Sequence, residues 1–229
     1  MDTPTAAVSW RDRLGTLLSH NRSLIALEVV FLILLMVLPV PGRTIWLLLA
    51  GWLSLWLRRR SWRNVGLSRP ARWRHTLLAG IAIGAIYQLF SIGIVVPLLY
   101  RLTDTAPDLS QFASLRGNLA NLLLWLTLSW SLAAFGEEMA YRGYVLNRLA
   151  DLFGNSQLGW AVGLGASALF FGLGHIYQGI AGVLETFVFG AFLACLYLVT
   201  KRNLWLPIIV HGVNDTIGFG LIFFGLYPS

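Results

Sequence analysis

Long apolar runs, separated by short polar or glycine- and proline-bearing breaks, set the pattern of this chain. Seven stand out, over about residues 24–40, 44–57, 76–100, 118–140, 158–175, 180–200 and 204–226. Most approach the roughly 20 residues that an α-helix needs to cross a bilayer. The second is short and pairs with the first around Pro39, Pro41 and Gly42. The runs are continuously apolar rather than alternating, which argues against a β-barrel of short strands. The expected fold is all-α, a polytopic transmembrane helical bundle of about seven spans. It forms a single domain over 24–229 behind a cytoplasmic or interfacial tail at 1–23.

Composition agrees: 57% of residues are hydrophobic and 12% charged, where soluble domains carry about a quarter charged residues. Arg11, Arg13 and Arg22 precede the first run like a signal peptide's basic flank. The "LPVPGR" that follows offers no small-residue cleavage site, so a retained anchor is expected. An N-in chain collects fourteen of the seventeen Lys and Arg on one side, leaving Arg43, Arg101 and Arg116 on the other. The positive-inside rule therefore favours N-in, and the expected setting is the plasma (inner) membrane. The net charge of +7 then reads as topology and attraction to anionic lipid. The stretch "RRRSWRNVGLSRPARWRHT" reads as an interfacial belt, with no nucleic acid as partner. Cys195 is the lone cysteine, so no disulfide forms within one chain.

Ionisable groups are costly inside a bilayer and tend to mark function. In or beside the later spans stand Glu137, Glu138, Arg142, His175, Glu185, His211, Asn214 and Asp215. Before Glu137 the spans hold only Glu28 and Arg43, both near ends. Glu138 and Arg142, Phe171 and His175, and His211 and Asp215 share i,i+4 spacing, which puts each pair on one helical face. Glu137 and Glu138 stand about 100° apart on an α-helix, so one can face a cavity while the other pairs with Arg142. Taken singly, these are a helix salt bridge, an interfacial histidine and an interhelical hydrogen bond. Glu185 reads as structural or lumen-facing.

Taken in order, "EEMAYR", "FFGLGH" and "HGVND" resemble the CPBP family of intramembrane proteases, which includes CAAX prenyl endopeptidases and ABI-type bacteriocin-immunity homologues. The family pattern is EExxxR, FxxxH, then HxxxN or HxxxD, and the resemblance covers about residues 118–220, the expected catalytic core. It implies an endopeptidase acting on a membrane-associated or small peptide substrate, with the lipid bilayer as its setting. It implies that Glu137 and His175 activate water, that His211 and Asp215 stabilise the oxyanion, and that Glu138, Arg142 and Phe171 support them. Aspartate at 215 departs from the amide-donating asparagine, because an ionised carboxylate only accepts. The alternative reading is a proton- or cation-coupled transporter, or a non-catalytic immunity or scaffold protein. Transporters commonly show two related halves, and here the polar residues sit in one.

Metal dependence stays open at this point. Glu137, His175 and His211 would make a recognisable zinc set, but no HExxH is present. No cofactor is favoured, with a divalent metal such as zinc the other choice. Simple counting puts Glu137 toward the arginine-rich end of its span and His175 toward the opposite end of the next. They can meet if the fourth helix continues to about Leu149, or if the fifth breaks near Gly172 and Gly174. Water is expected to enter from the cytoplasmic side.

Overall fold

The structure is a computed structural model that describes residues 9–38 and 40–227. Residues 1–8 of the expected tail, and Pro39 of the expected first turn, lie outside the described residues. Among the described residues the chain is helical throughout and forms no strand. In chain order the main helices are α1 (Trp10–His20), α2 (Arg22–Val37), α3 (Arg43–Leu57), α4 (Trp73–Thr103), α5 (Leu119–Leu152), α6 (Gln157–Leu173), α7 (Ile176–Val199) and α8 (Trp205–Phe223).

Four helices, α4, α5, α7 and α8, are long and apolar enough to cross a membrane, and the bent α1–α2 pair brings the count to five. Helices α3 and α6 are apolar but shorter. At 1.5 Å per residue, α6 is about 25 Å long, against a hydrocarbon core of about 30 Å. Large apolar side chains on the outer faces, among them Phe31, Trp52, Leu78, Ile86 and Leu123, are exposed as a lipid-facing surface requires.

Helix α1, in the region read as a tail, turns into α2 at 81°. The corner is Asn21, whose extended backbone ends α1 while its side chain accepts from the N–H groups of Ser23 and Leu24. Two of the long helices carry π-helical stretches, in which bonds run i→i+5. In α4 the stretch is Ser91–Val95, just before Pro97. Proline has no N–H to give, and the widened turn absorbs the missing bond. In α5 the stretch is Ser129–Val145, closed by the Leu146 N–H on the Tyr141 carbonyl. Asn147 donates to the carbonyls of Arg142 and Gly143, at 2.9 and 3.0 Å, satisfying backbone groups that lipid would leave bare.

The fourth apolar run continues twelve residues past the expected end at 140, to Leu152. Its polar residues are absorbed internally. Arg148 bonds Glu28 of α2 and lies 3.0 Å from Asp151, which also meets Arg58, just past the end of α3, at 3.4 Å. The Tyr144 hydroxyl reaches Glu28 as well.

Loops gather at two ends. At one end the Leu204 N–H bonds Gly66 O at 3.0 Å, near Arg58, Arg60, Arg148, Lys201 and Arg202. At the other, the Asp108 N–H bonds Gln178 O at 2.9 Å and the Gly117 N–H bonds Phe223 O at 3.0 Å. We call the first the basic end.

Close helix contact positions α6 against α7. A Cβ on Gly172 would stand 2.6 Å from the Val183 carbonyl oxygen and 2.9 Å from Phe187 Cβ, whereas one on Gly165 would meet nothing within 4 Å. Gly172→Val should therefore lower the detergent-solubilised protein's stability by about 1–3 kcal/mol through overpacking. Gly165→Val should change it much less. Equal melting temperatures for the two variants would contradict this packing.

Candidate active site

Helix α5 delivers both glutamates and α8 delivers His211. His175 comes from the turn between α6 and α7, because α6 stops at Leu173. Both routes left open by the sequence are therefore taken: α5 runs on, and the fifth apolar run breaks near Gly174. The i,i+4 relation of Phe171 and His175 takes a different form from the one expected. Off the helix, His175 turns its ring back so that Nδ1 lies 2.9 Å from the Phe171 carbonyl oxygen. A carbonyl only accepts, so this bond puts the proton on Nδ1 and leaves Nε2 as an acceptor.

Glu138 is fully buried, at 0% exposure, and its Oε1 is the junction of the site. It accepts from Arg142 Nη1 at 2.7 Å and from His211 Nδ1 at 3.0 Å. Arg142, also at 0% exposure, donates onward from Nη2 to the Gly190 carbonyl of α7 at 2.8 Å. Its guanidinium lies 4.5 Å from the centre of the Phe171 ring. Phe171 in turn stands edge-on to His211 at 6.0 Å and to Tyr141 at 5.2 Å, and tilts against His175 at 5.0 Å. One charged cluster thus ties α5, α6, α7 and α8 together.

Glu137 points elsewhere. With His175, His211 and Asp215 it lines a cavity of about 370 Å³ whose wall also includes Ser129, Phe171, Glu185 and Asn214. The cavity reaches Leu109 and Phe112 of the 104–118 connection, Tyr177 and Gln178, and Tyr227. It therefore lies toward the end opposite the basic one. The four residues expected to be catalytic share one cavity, and the Glu138–Arg142 pair stands behind it.

Asp215 has a different partner from the one its spacing suggests. Its Oδ2 accepts from Ser129 Oγ at 2.7 Å and stands 3.6 Å from His211 Nε2, beyond hydrogen-bond range. The carboxylate holding the His211 ring is Glu138, 73 positions away in sequence. Spacing cannot reveal such a partner. Thr44, whose hydroxyl lies 3.5 Å from Glu137 Oε1, was equally invisible, and Arg43, whose Nη1 would be 2.9 Å from a Cβ on Gly174, was legible only as a charge near a span end.

Among the described residues, no three His, Cys, Asp or Glu side chains are grouped so as to hold a metal ion. Phe171 O and Glu138 occupy Nδ1 of His175 and of His211, leaving one ring nitrogen on each. Glu137, His175 and His211, the set that a metal would take if one were present, are not grouped as ligands among the described residues.

Arg142→Met would strand the Glu138 carboxylate, and breaking a buried pair from one side costs about 3–5 kcal/mol. The variant should show a depressed melting temperature and poor yield. Adding Glu138→Gln removes the stranded charge and should recover part of the loss. A double variant less stable than Arg142→Met would refute the pairing as the source of that cost.

Comparison with known proteins bears on the same segment. A search of curated proteins and one of solved structures gave no match. A family model described as Rce1-like, "Type II CAAX prenyl endopeptidase Rce1-like", matches residues 119–217. The match starts at the first residue of α5, ends just beyond Asp215, and takes in all three motifs. Over this segment the chain is similar to the Rce1-like type II CAAX prenyl endopeptidases, in agreement with the CPBP resemblance of its sequence.

Proposed function

We propose that this chain is an intramembrane endopeptidase of the glutamate type, which hydrolyses a peptide bond in a membrane-associated or small peptide. One observation supports the reading most: Glu137, His175 and His211, from three separate parts of the chain, line a single cavity. Structural salt bridges alone would not need that convergence.

Water sits between the Glu137 carboxylate and the free Nε2 of His175. Glu137 takes one proton as the water oxygen attacks the carbonyl carbon, while His175 accepts a hydrogen bond from the other. The carbonyl oxygen becomes an oxyanion facing His211 Nε2. Because Glu138 holds the Nδ1–H, donation from Nε2 requires the imidazolium. Its two N–H groups would face Glu138 at 3.0 Å and Asp215 at 3.6 Å. Glu137 then hands its proton to the amide nitrogen and the C–N bond breaks; the second water proton passes from the new carboxylic acid to the amine, so a carboxylate and an ammonium leave. Asp215, held by Ser129, completes the oxyanion side of the cavity.

We place seven apolar segments in the plasma membrane, N-in, with the basic end in the cytoplasm. On that orientation the cavity is reached from the other face. Cytoplasmic entry of water, expected from the sequence, does not go with it.

Glu137→Gln keeps the shape but cannot take a proton from water. In a reconstituted peptide-cleavage assay it should lose on the order of 10²–10⁴-fold in turnover, with unchanged yield and melting temperature. Near-parental turnover would exclude Glu137 as the base. Asp215→Asn adds an amide donor near the oxyanion, and a well-aimed donor is worth about 3–4 kcal/mol. Its activity should equal or exceed the parent's, with and without a chelator. Chelator-sensitive parent activity, together with a dead variant rescued by zinc, would overturn the glutamate-type reading.

A further inference from the structure

Among the described residues the catalytic cavity carries three carboxylates, Glu137, Glu185 and Asp215, and no Lys or Arg lines it. Elsewhere Glu28, Glu138, Asp12 and Asp151 each pair with an arginine. Among the described residues, neither Glu137 nor Glu185 has such a partner. Glu137 has work to do on water. Glu185 has none in the mechanism, yet it stands midway along the apolar helix α7, where an ionisable group is costly.

Its surroundings form a second polar patch. Ser91, 1% exposed and first in the π-helical stretch of α4, donates to Glu185 Oε1 at 2.7 Å. One turn earlier on α4, Tyr87 is 7% exposed and lines the same cavity, and among the described residues its hydroxyl has no hydrogen-bond partner. Its ring stacks on Phe192 at 4.7 Å and packs by Phe189 at 4.8 Å. Gln88 and Tyr227 line the cavity beside them. A carboxylate, an unpartnered phenol oxygen and aromatic faces are the parts that recognise an ammonium or guanidinium group.

We propose that Glu185 forms a cation-binding subsite of the catalytic cavity, which selects a peptide bearing a lysine or arginine side chain close to the bond cut. This rests on the peptidase reading above. Position along α7 gives the spacing. Glu185 lies one turn before Phe189, whose ring meets His211 edge-on at 5.3 Å. A turn rises about 5.4 Å and an extended peptide about 3.3 Å per residue. The basic side chain therefore sits roughly two residues from the carbonyl held at His211.

Binding can be read apart from cleavage. The full chain carrying Glu137→Gln, in detergent, is offered a pool of hydrophobic hexapeptides with either lysine or norleucine at one position, and captured peptides are identified by mass. Lysine peptides should be enriched about tenfold or more at one position, the scale of one charge-assisted hydrogen bond. In Glu137→Gln/Glu185→Gln, where Ser91 can still donate to the new amide oxygen, the preference should fall to parity. Equal capture of both sets, capture of neither, or a lysine preference that survives the second substitution would overturn the subsite. The parent chain on the same pool separates the two readings. Cleavage without lysine preference sinks the subsite alone, whereas lysine-selective capture without any cleavage sinks the peptidase reading alone.

Discussion

A carboxylate with no access to water must be matched within the protein, and Glu138 is the residue around which this fold closes. Its Oε1 takes a hydrogen bond from Arg142 one turn away and another from His211 on a different helix. Arg142 passes the connection to the Gly190 carbonyl of α7 and lies over Phe171 of α6. Four helices are thereby fixed in register by charge and ring contacts. That register sets where His211 Nε2 points and where the Phe171 carbonyl waits for His175. The adjacent Glu137 is freed to face the cavity because its neighbour consumes the cation.

Keeping such a cluster buried needs a helix that can carry polar residues through the bundle. The π-helical stretch of α5 spans both glutamates and Arg142, and Asn147 satisfies two of its carbonyls while donating to Tyr197 at 2.8 Å. Beyond it, Arg148, Glu28, Asp151 and Arg58 bind the helix to α2 and α3. Helix α3 begins and α6 ends near the cavity: Thr44 at the start of α3 approaches Glu137, and Gly174 after α6 lies against Arg43. Their shortness brings loop residues and polar side chains to the site.

The helices themselves were legible, because a continuous apolar run has few other uses, and most boundaries fall within a few residues of those read from the pattern. The exception is instructive. Residues 141–152 contain Arg142, Asn147, Arg148 and Asp151, which resemble the end of a span until their partners on other helices are known. Helical spacing identified the Glu138–Arg142 pair correctly, since that contact is local. It could not find the Glu138–His211 bond or the Ser129–Asp215 bond, which depend on how α5 and α8 pack. Glu185 was readable from the sequence only as structural or lumen-facing. Its place on the cavity wall is a tertiary fact.

In the proposed mechanism Glu137 activates water rather than attacking the peptide itself. A single-turnover reaction in ¹⁸O-labelled water, with enzyme in excess, separates the two. Direct attack by water puts one labelled oxygen in the new product carboxylate during the first turnover and leaves Glu137 unlabelled. An unlabelled first-turnover product, with ¹⁸O later found in the Glu137 carboxylate, would mean that Glu137 is a nucleophile and would contradict that mechanism.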